Sequence, residues 1–305
     1  MYPLLLKNTV NDEDSMPAVI KPDEFSDAQC YLLLALNECE SVVKNGVFAR
    51  MGLNEALCKI SGGETADFPV TIKLINTKER LPVTVYPDDE YAALHGEKSG
   101  KISLLYIAAA KEGAEMVYGL SRNVSGEELR TRVQNGSLSA ICNFVSVQKG
   151  DVFFIPPGVV FAVGGGISAV EISSNGGSEY IISDYGRLDK NGKPRPLQIN
   201  RALDVMKTRK NNLRYGNVGE MTLYPFGTVR ELGSCDLFCT ELITMDGKVG
   251  FSENEHLISI ILTSGEVDMS YASGNMHLKA GDSVIVPKKV TVKLSGRAEV
   301  IYTRI

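Results

Sequence analysis

Gly150-Asp-Val-Phe-Phe-Ile-Pro156 recurs further along the chain as Gly281-Asp-Ser-Val-Ile-Val-Pro287. In each copy Gly-Asp makes a turn, four residues follow as an apolar strand, and proline ends that strand by denying the ladder a donor. Each copy precedes another β-rich stretch broken by glycine, at Gly164 to Gly166 and at Gly296. Further short apolar runs bounded by Gly, Pro or Asn read as strands at 70–75, 81–86, 102–108, 167–172 and 257–262. Short strands at close spacing with turn residues between them predict a sandwich or barrel.

This strand-turn grammar is that of the cupin jelly roll, and two copies predict a mainly β, double-cupin chain with a few short covering helices. Ser125 and Glu128 have the spacing of a capping box that opens a helix over 127–134, ended by Gly136. Asn200 is expected to cap a helix over 201–207. A third helix is expected over 53–60, stopped by Gly62-Gly63, and a short helical turn over 88–94 behind the caps Asp88 and Asp89. The polar stretch from Thr208 to Met221 is the expected boundary between two modules, 1–207 and 208–305.

The 305 residues carry a formal charge of −5, with 44% hydrophobic and 23% charged side chains, which fits a globular protein and excludes disorder, collagen and coiled coil. Mild acidity supplies no basic stripe for nucleic acid, and no window approaches the roughly 18 apolar residues of a membrane span. Met1-Tyr-Pro-Leu-Leu-Leu-Lys7 lacks the charged lead of a secretory signal. Cysteines 30, 39, 58, 142, 235 and 239 form no CxxC pair, which predicts reduced thiols in a cytoplasmic protein. There is no phosphate loop, nucleophile elbow or dinucleotide fingerprint.

From Phe68 to Lys207 the chain resembles the type I phosphomannose isomerase (mannose-6-phosphate isomerase) family in its shorter bacterial form. Phe68-Pro-Val-Thr-Ile-Lys-Leu-Ile75 is similar to the family's F-P-L-L-x-K strand. Leu81-Pro-Val-Thr-Val-Tyr-Pro-Asp-Asp-Glu-Tyr-Ala92 resembles its L-S-V-Q-V-H-P-D-D-x-Y-A. Leu94-His95 with Gly100-Lys101, the stretch 147–163, Glu171-Ile172, Ser183-Asp-Tyr-Gly-Arg187 and Val43-Lys-Asn-Gly46 follow other family motifs in order. The resemblance implies interconversion of mannose 6-phosphate and fructose 6-phosphate around a zinc ion held by a Gln, two His and a Glu. On a strand, residues i and i+2 share a face, so the family's Q-x-H presents two ligands to one ion.

This sequence departs from the pattern at every ligand position. Thr84 and Tyr86 stand at the Q-x-H pair, Ser103 at the glutamate and Phe161 at the second histidine. Ser173 and Ser174 replace the paired glutamines after Glu171, and Ile181 replaces an arginine. No zinc or other cofactor is therefore expected. The expected pocket comprises Thr84, Tyr86, Ser103, Phe161, Lys101 and Arg187. Lys101 and Arg187 could meet a phosphate or serve as surface charges, and Tyr86 and Phe161 could form a sugar platform or fill a cavity.

Three functions follow from the resemblance and its departures. One is a metal-free, non-catalytic member that binds a sugar, a sugar phosphate or a partner. Another is an active isomerase with an altered site, its acid–base and phosphate groups drawn from Lys101, Arg187, Glu171 and His95. The third is a purely structural or interaction protein. Glu253-Asn-Glu-His256 superficially offers metal donors, but an acidic turn of this kind is ordinarily solvated, and His277 is expected on a strand surface.

Overall fold

A computed structural model describes residues 1–10, 27–36, 39–63, 68–188, 191–252 and 255–305. Its middle layer is a seven-stranded antiparallel sheet, in the order Tyr215–Gly216, Val152–Ile155, Ser103–Ala110, Ile167–Ser174, Val70–Thr77, Ala28–Leu33 and Thr9–Val10. One face meets a five-stranded sheet ordered Cys142–Ser146, Glu115–Leu120, Phe161–Ala162, Val83–Val85 and Tyr180–Ser183. Ile75, Leu105, Ile107 and Ala169 pack there against Met116, Tyr118 and Phe161. The opposite face sends Ile72, Leu74, Tyr106 and Ile172 into a second core with Leu4, Leu6, Ile261 and Ile301. A sheet covered on both faces has no solvent side, so polar alternation disappears from its strands. Val70–Thr77 and Ile167–Ser174 are accordingly buried at every position.

The third layer belongs to the C-terminal half. Strands Met221–Tyr224, Gly227–Cys235, Phe238–Phe251, Val292–Arg304, Ile258–Tyr271 and Ser283–Val286 lie side by side, and Gly274–Lys279 pairs with Ile258–Tyr271. The N-terminal strand Leu4–Lys7 joins this sheet, with Leu4 opposite Ile285. Tyr215–Gly216, within the polar stretch between the halves, pairs instead with Val152–Ile155 in the middle layer.

The repeated heptapeptide makes the same hydrogen bonds twice. Asp151 Oδ2 accepts from Gln148 N–H and Asp282 Oδ2 from Lys279 N–H, each at 2.9 Å. Gly150 N–H donates to Ile107 O and Gly281 N–H to Leu262 O, each at 2.8 Å. Both glycines sit at positive φ, +96° and +90°, where a side chain would strain the turn. The strands that follow, Val152–Ile155 and Ser283–Val286, span the apolar residues of each copy. The mainly β, double-cupin reading holds.

The helices hold with two corrections. Ser125 caps Gly126–Gln134 by accepting from Glu128 N–H, but the Glu128 carboxylate does not complete a capping box. It turns to Arg122 and Arg132, whose charges attract it more strongly than one amide. Asn200 is no cap: the last main helix is Ile199–Val205, begun behind Gln198, whose side chain accepts from Ile181 N–H instead. Leu53–Ser61 ends on Gly62 in the left-handed region, and Asp88 caps Asp89–Leu94 by accepting from Tyr91 N–H. Among the described residues no helix is long and apolar enough to cross a membrane. Cys30, Cys58, Cys142, Cys235 and Cys239 are free thiols.

Candidate functional site

Period-two alternation decides which side chains enter the space between the middle sheet and its five-stranded partner. On the middle sheet these include Lys73, Ser103 and Glu171, which share a face with Ile75, Leu105 and Ala169. Lys73 and Glu171 are directly opposed across neighbouring strands. On the partner sheet Thr84 is opposed to Phe161, and Tyr86 follows one residue past the strand end. The four positions that depart from the zinc pattern are thus brought together, and all four are buried.

Tyr86 is the hub of this cluster. Its hydroxyl donates to Glu171 Oε1 at 2.9 Å and accepts from Ser103 Oγ at 3.5 Å. Its ring lies 5.0 Å from that of Phe161, and Lys101 Nζ sits 4.8 Å from its centroid. Thr84 Oγ1 reaches the Phe161 carbonyl at 3.5 Å. Neither ring presents an open face, for Tyr86 is 0% and Phe161 6% exposed. The rings fill the space between the sheets.

Charge surrounds this packed centre. Lys73 Nζ stands 2.7 Å from Glu171 Oε2 and 3.6 Å from Glu179 Oε1, and Lys101 donates to the same Glu179 oxygen. Burial works against ionisation of Glu171, but Lys73 and Lys101 overrule it and hold the carboxyl below its ordinary range. Burial likewise opposes the Lys73 ammonium, and the two glutamates outweigh it, so its pKa lies above the lysine range. Burial, reinforced by the same glutamates, pushes the Tyr86 phenol well up, so it stays protonated and can donate. Beside the cluster opens a cleft of about 340 Å³, lined by Tyr31, Thr71, Lys73, Lys101, Asn175 and Glu179 among others.

Lys73 and Glu179 were not among the expected site residues. Lys73 had a legible signal: it is a cation inside the apolar run 70–75, and a buried charge needs a partner. Glu179 had none, since its role depends on a turn that brings it back to two lysines.

Two expected site residues lie elsewhere. Arg187 ion-pairs with Asp184 and donates to Arg80 O at 2.9 Å, sharing no partner with Lys101. His95 is exposed at the end of helix Asp89–Leu94, its ring stacked 3.9 Å from that of Tyr91. Each found a partner three or four residues away, so neither reaches the cluster. Glu253 and Asn254 of the acidic turn lie outside the described residues, and His256 is exposed. His277 is a strand surface residue, as expected, with Nδ1 2.9 Å from Asp268 Oδ1.

The residues at the four ligand positions do not fit zinc. Two neutral alcohols, a protonated phenol and a phenyl ring supply none of the thiolate, imidazole or carboxylate donors zinc uses. Glu171 is already committed to Tyr86 and Lys73, and two ammonium groups would repel a dication. Among the described residues no group of three or more His, Cys, Asp and Glu could hold a metal ion.

No family model matches the chain. Individual proteins do. Mannose-6-phosphate isomerase ManA of Bacillus subtilis (strain 168) is 28% identical over 287 residues, covering 91% of this chain and 89% of that one. Mannose-6-phosphate isomerase of Streptococcus mutans is 28% identical over 266 residues, covering 86% and 83%. The crystal structure of the mannose 6-phosphate isomerase from Bacillus subtilis covers all of both chains with a TM-score of 0.85 at 24% identity. A phosphomannose isomerase variant from Salmonella typhimurium shares the fold alone, with a TM-score of 0.76 at 12% identity over 100% of this chain and 99% of that one. By sequence over nine tenths of its length and by fold over all of it, the chain is similar to mannose-6-phosphate isomerases.

Proposed function

We propose that this protein is a metal-free, non-catalytic member of the family that binds a sugar phosphate in the cleft beside Tyr86, with Lys101 and Lys73 facing the anion. The observation that carries this reading is the commitment of Glu171: one oxygen accepts from the neutral Tyr86 hydroxyl and the other meets Lys73. A carboxylate so held is a structural counter-ion, so it does not replace the metal donors missing at Thr84, Tyr86, Ser103 and Phe161. The relatives' names supply the ligand class, and the lysine-lined cleft supplies complementary charge. Free thiols support a reducing, cytoplasmic setting.

The test is ligand-induced stabilisation, because a ligand that binds only the folded state raises its melting temperature. Mannose 6-phosphate should raise it, and Lys101→Met should abolish the rise. In parallel, the protein dialysed against zinc should retain none at stoichiometric level and show no mannose 6-phosphate turnover. Zinc-dependent turnover would instead favour the altered-site isomerase, and no melting shift with any hexose phosphate would favour the purely structural reading.

A further inference from the structure

Between Asp204 and Glu220 the chain carries Lys207, Arg209, Lys210 and Arg214 and no acidic residue, a concentration of cations that the net charge of −5 conceals. Arg122, Arg132, Lys149, Arg187, Arg195 and Arg201 all pair with carboxylates, whereas none of these four makes an ion pair among the described residues.

The segment is nevertheless fixed in place. Lys207 N–H donates to Gly158 O at 2.9 Å, Val124 N–H to Thr208 O at 2.9 Å and Asn211 N–H to Leu120 O at 3.0 Å. Asn123 Oδ1 accepts from Lys210 N–H at 2.8 Å, and the Asn211 amide donates to Tyr118 O at 3.0 Å. Two glycines permit the close approach: a Cβ at Gly119 would stand 2.3 Å from Asn211 Cβ, and one at Gly158 would stand 2.9 Å from Val205 O.

This strap, the end of strand Glu115–Leu120 and the 158–160 turn line a cleft of about 280 Å³, whose lining includes Lys207, Arg209, Lys210, Asn212, Leu213 and Val159. The backbone that carries these cations is already bonded in place, so an arriving anion has only their side chains to order. Arginine and lysine together suit a multiply charged phosphoryl group, Asn212 can meet hydroxyls, and Val159 and Leu213 offer an apolar wall. We propose that the strap binds a small phosphorylated metabolite at a second site, separate from the Lys101 cleft. Gly158 connects the two places, because its N–H donates to Tyr86 O at 2.9 Å while its carbonyl holds Lys207.

Isothermal titration calorimetry with inorganic pyrophosphate at low salt tests the site. One equivalent should bind to the wild type, and Arg209→Ala/Lys210→Ala should weaken binding by about tenfold or more. Both side chains are exposed, so circular dichroism should show the double variant folded. Lys101→Met should bind pyrophosphate like the wild type, which separates this site from the proposed sugar-phosphate cleft. Absence of binding, wild-type affinity in the double variant, or loss of binding in Lys101→Met alone would each overturn the proposal.

Discussion

Between the sheets of the first sandwich lie Lys73, Glu171, Tyr86 and Ser103, whereas the core of the C-terminal sheet is lined by Ile260, Leu262, Met269, Leu278 and Val284. Both interiors are entered by the same Gly-Asp turn with the same side-chain bond and the same apolar strand behind it. The turn therefore specifies the jelly-roll path and says nothing about what the interior contains. An apolar interior tolerates its neighbours one at a time. A charged interior is a set, in which each member is stable only because of another.

The sharpest way to break this contrast is to remove one member of the set. Glu171→Leu leaves the buried Lys73 ammonium without its 2.7 Å partner, and Glu179 at 3.6 Å is a poorer one. The expected loss is about 3–5 kcal/mol in denaturant unfolding, and Lys73→Met/Glu171→Leu should recover most of it. In the C-terminal core, Leu262→Ala should lose about 2–5 kcal/mol by leaving a cavity, with no charged partner whose removal restores it. Equal losses in the single and double variants at Glu171 would show that the cluster is not energetically coupled.

A second, smaller difference appears with pH. Partial desolvation opposes ionisation of Glu179, whose side chain stays 37% exposed, and Lys73 and Lys101 overrule it, holding its carboxyl at about 2. A depressed carboxyl contributes stability that is whole above the unfolded value of about 4.3 and fades as pH falls toward the folded one. Lys73 is raised, so its contribution is whole below the unfolded lysine value of about 10.4 and is lost only as pH rises through the higher folded one. Melting temperatures of the wild type and Glu179→Gln should therefore differ by a constant amount between about pH 6 and 8, draw together below about pH 4 and meet only near pH 2. A gap that stays open in acid would mean that Glu179 acts through packing rather than charge.

How much of this was legible in the sequence follows from the same contrast. The repeat gives the two jelly rolls because its turn bonds are local, spanning three residues in each copy. The convergence of Thr84, Tyr86, Ser103 and Phe161 was legible through motif order. Arg187 and His95 were misplaced because motif order does not reveal that Asp184 and Tyr91 sit close enough to claim them. The long strands Phe238–Phe251, Ile258–Tyr271 and Val292–Arg304 were hidden by glycines that read as turns. Gly265 and Gly296 are instead places where strands approach: a Cβ at Gly265 would lie 2.1 Å from Arg297 O, and one at Gly296 would lie 2.5 Å from Glu266 O. Glycine in a strand marks close backbone contact as well as interruption, and the sequence alone does not separate the two.

The smallest expected effect probes what the two halves share. Asp151→Ala and Asp282→Ala each remove one carboxylate bond to a backbone N–H three residues earlier, both at 2.9 Å. Each should lose about 1–3 kcal/mol, since one partner of these charge-assisted bonds is an ion. Asp151 is buried and Asp282 only half-buried, so the first loss should fall toward the upper end of that range. The order matters more than the size. If the turn acts alone, burial sets the difference, and removing the Lys73–Glu171 pair leaves the Asp151 loss unchanged, because sites without shared partners add. If the Asp151 loss shrinks in Lys73→Met/Glu171→Leu, the turn and the charged interior are one unit. The resemblance between the two copies would then be local geometry serving two different cores.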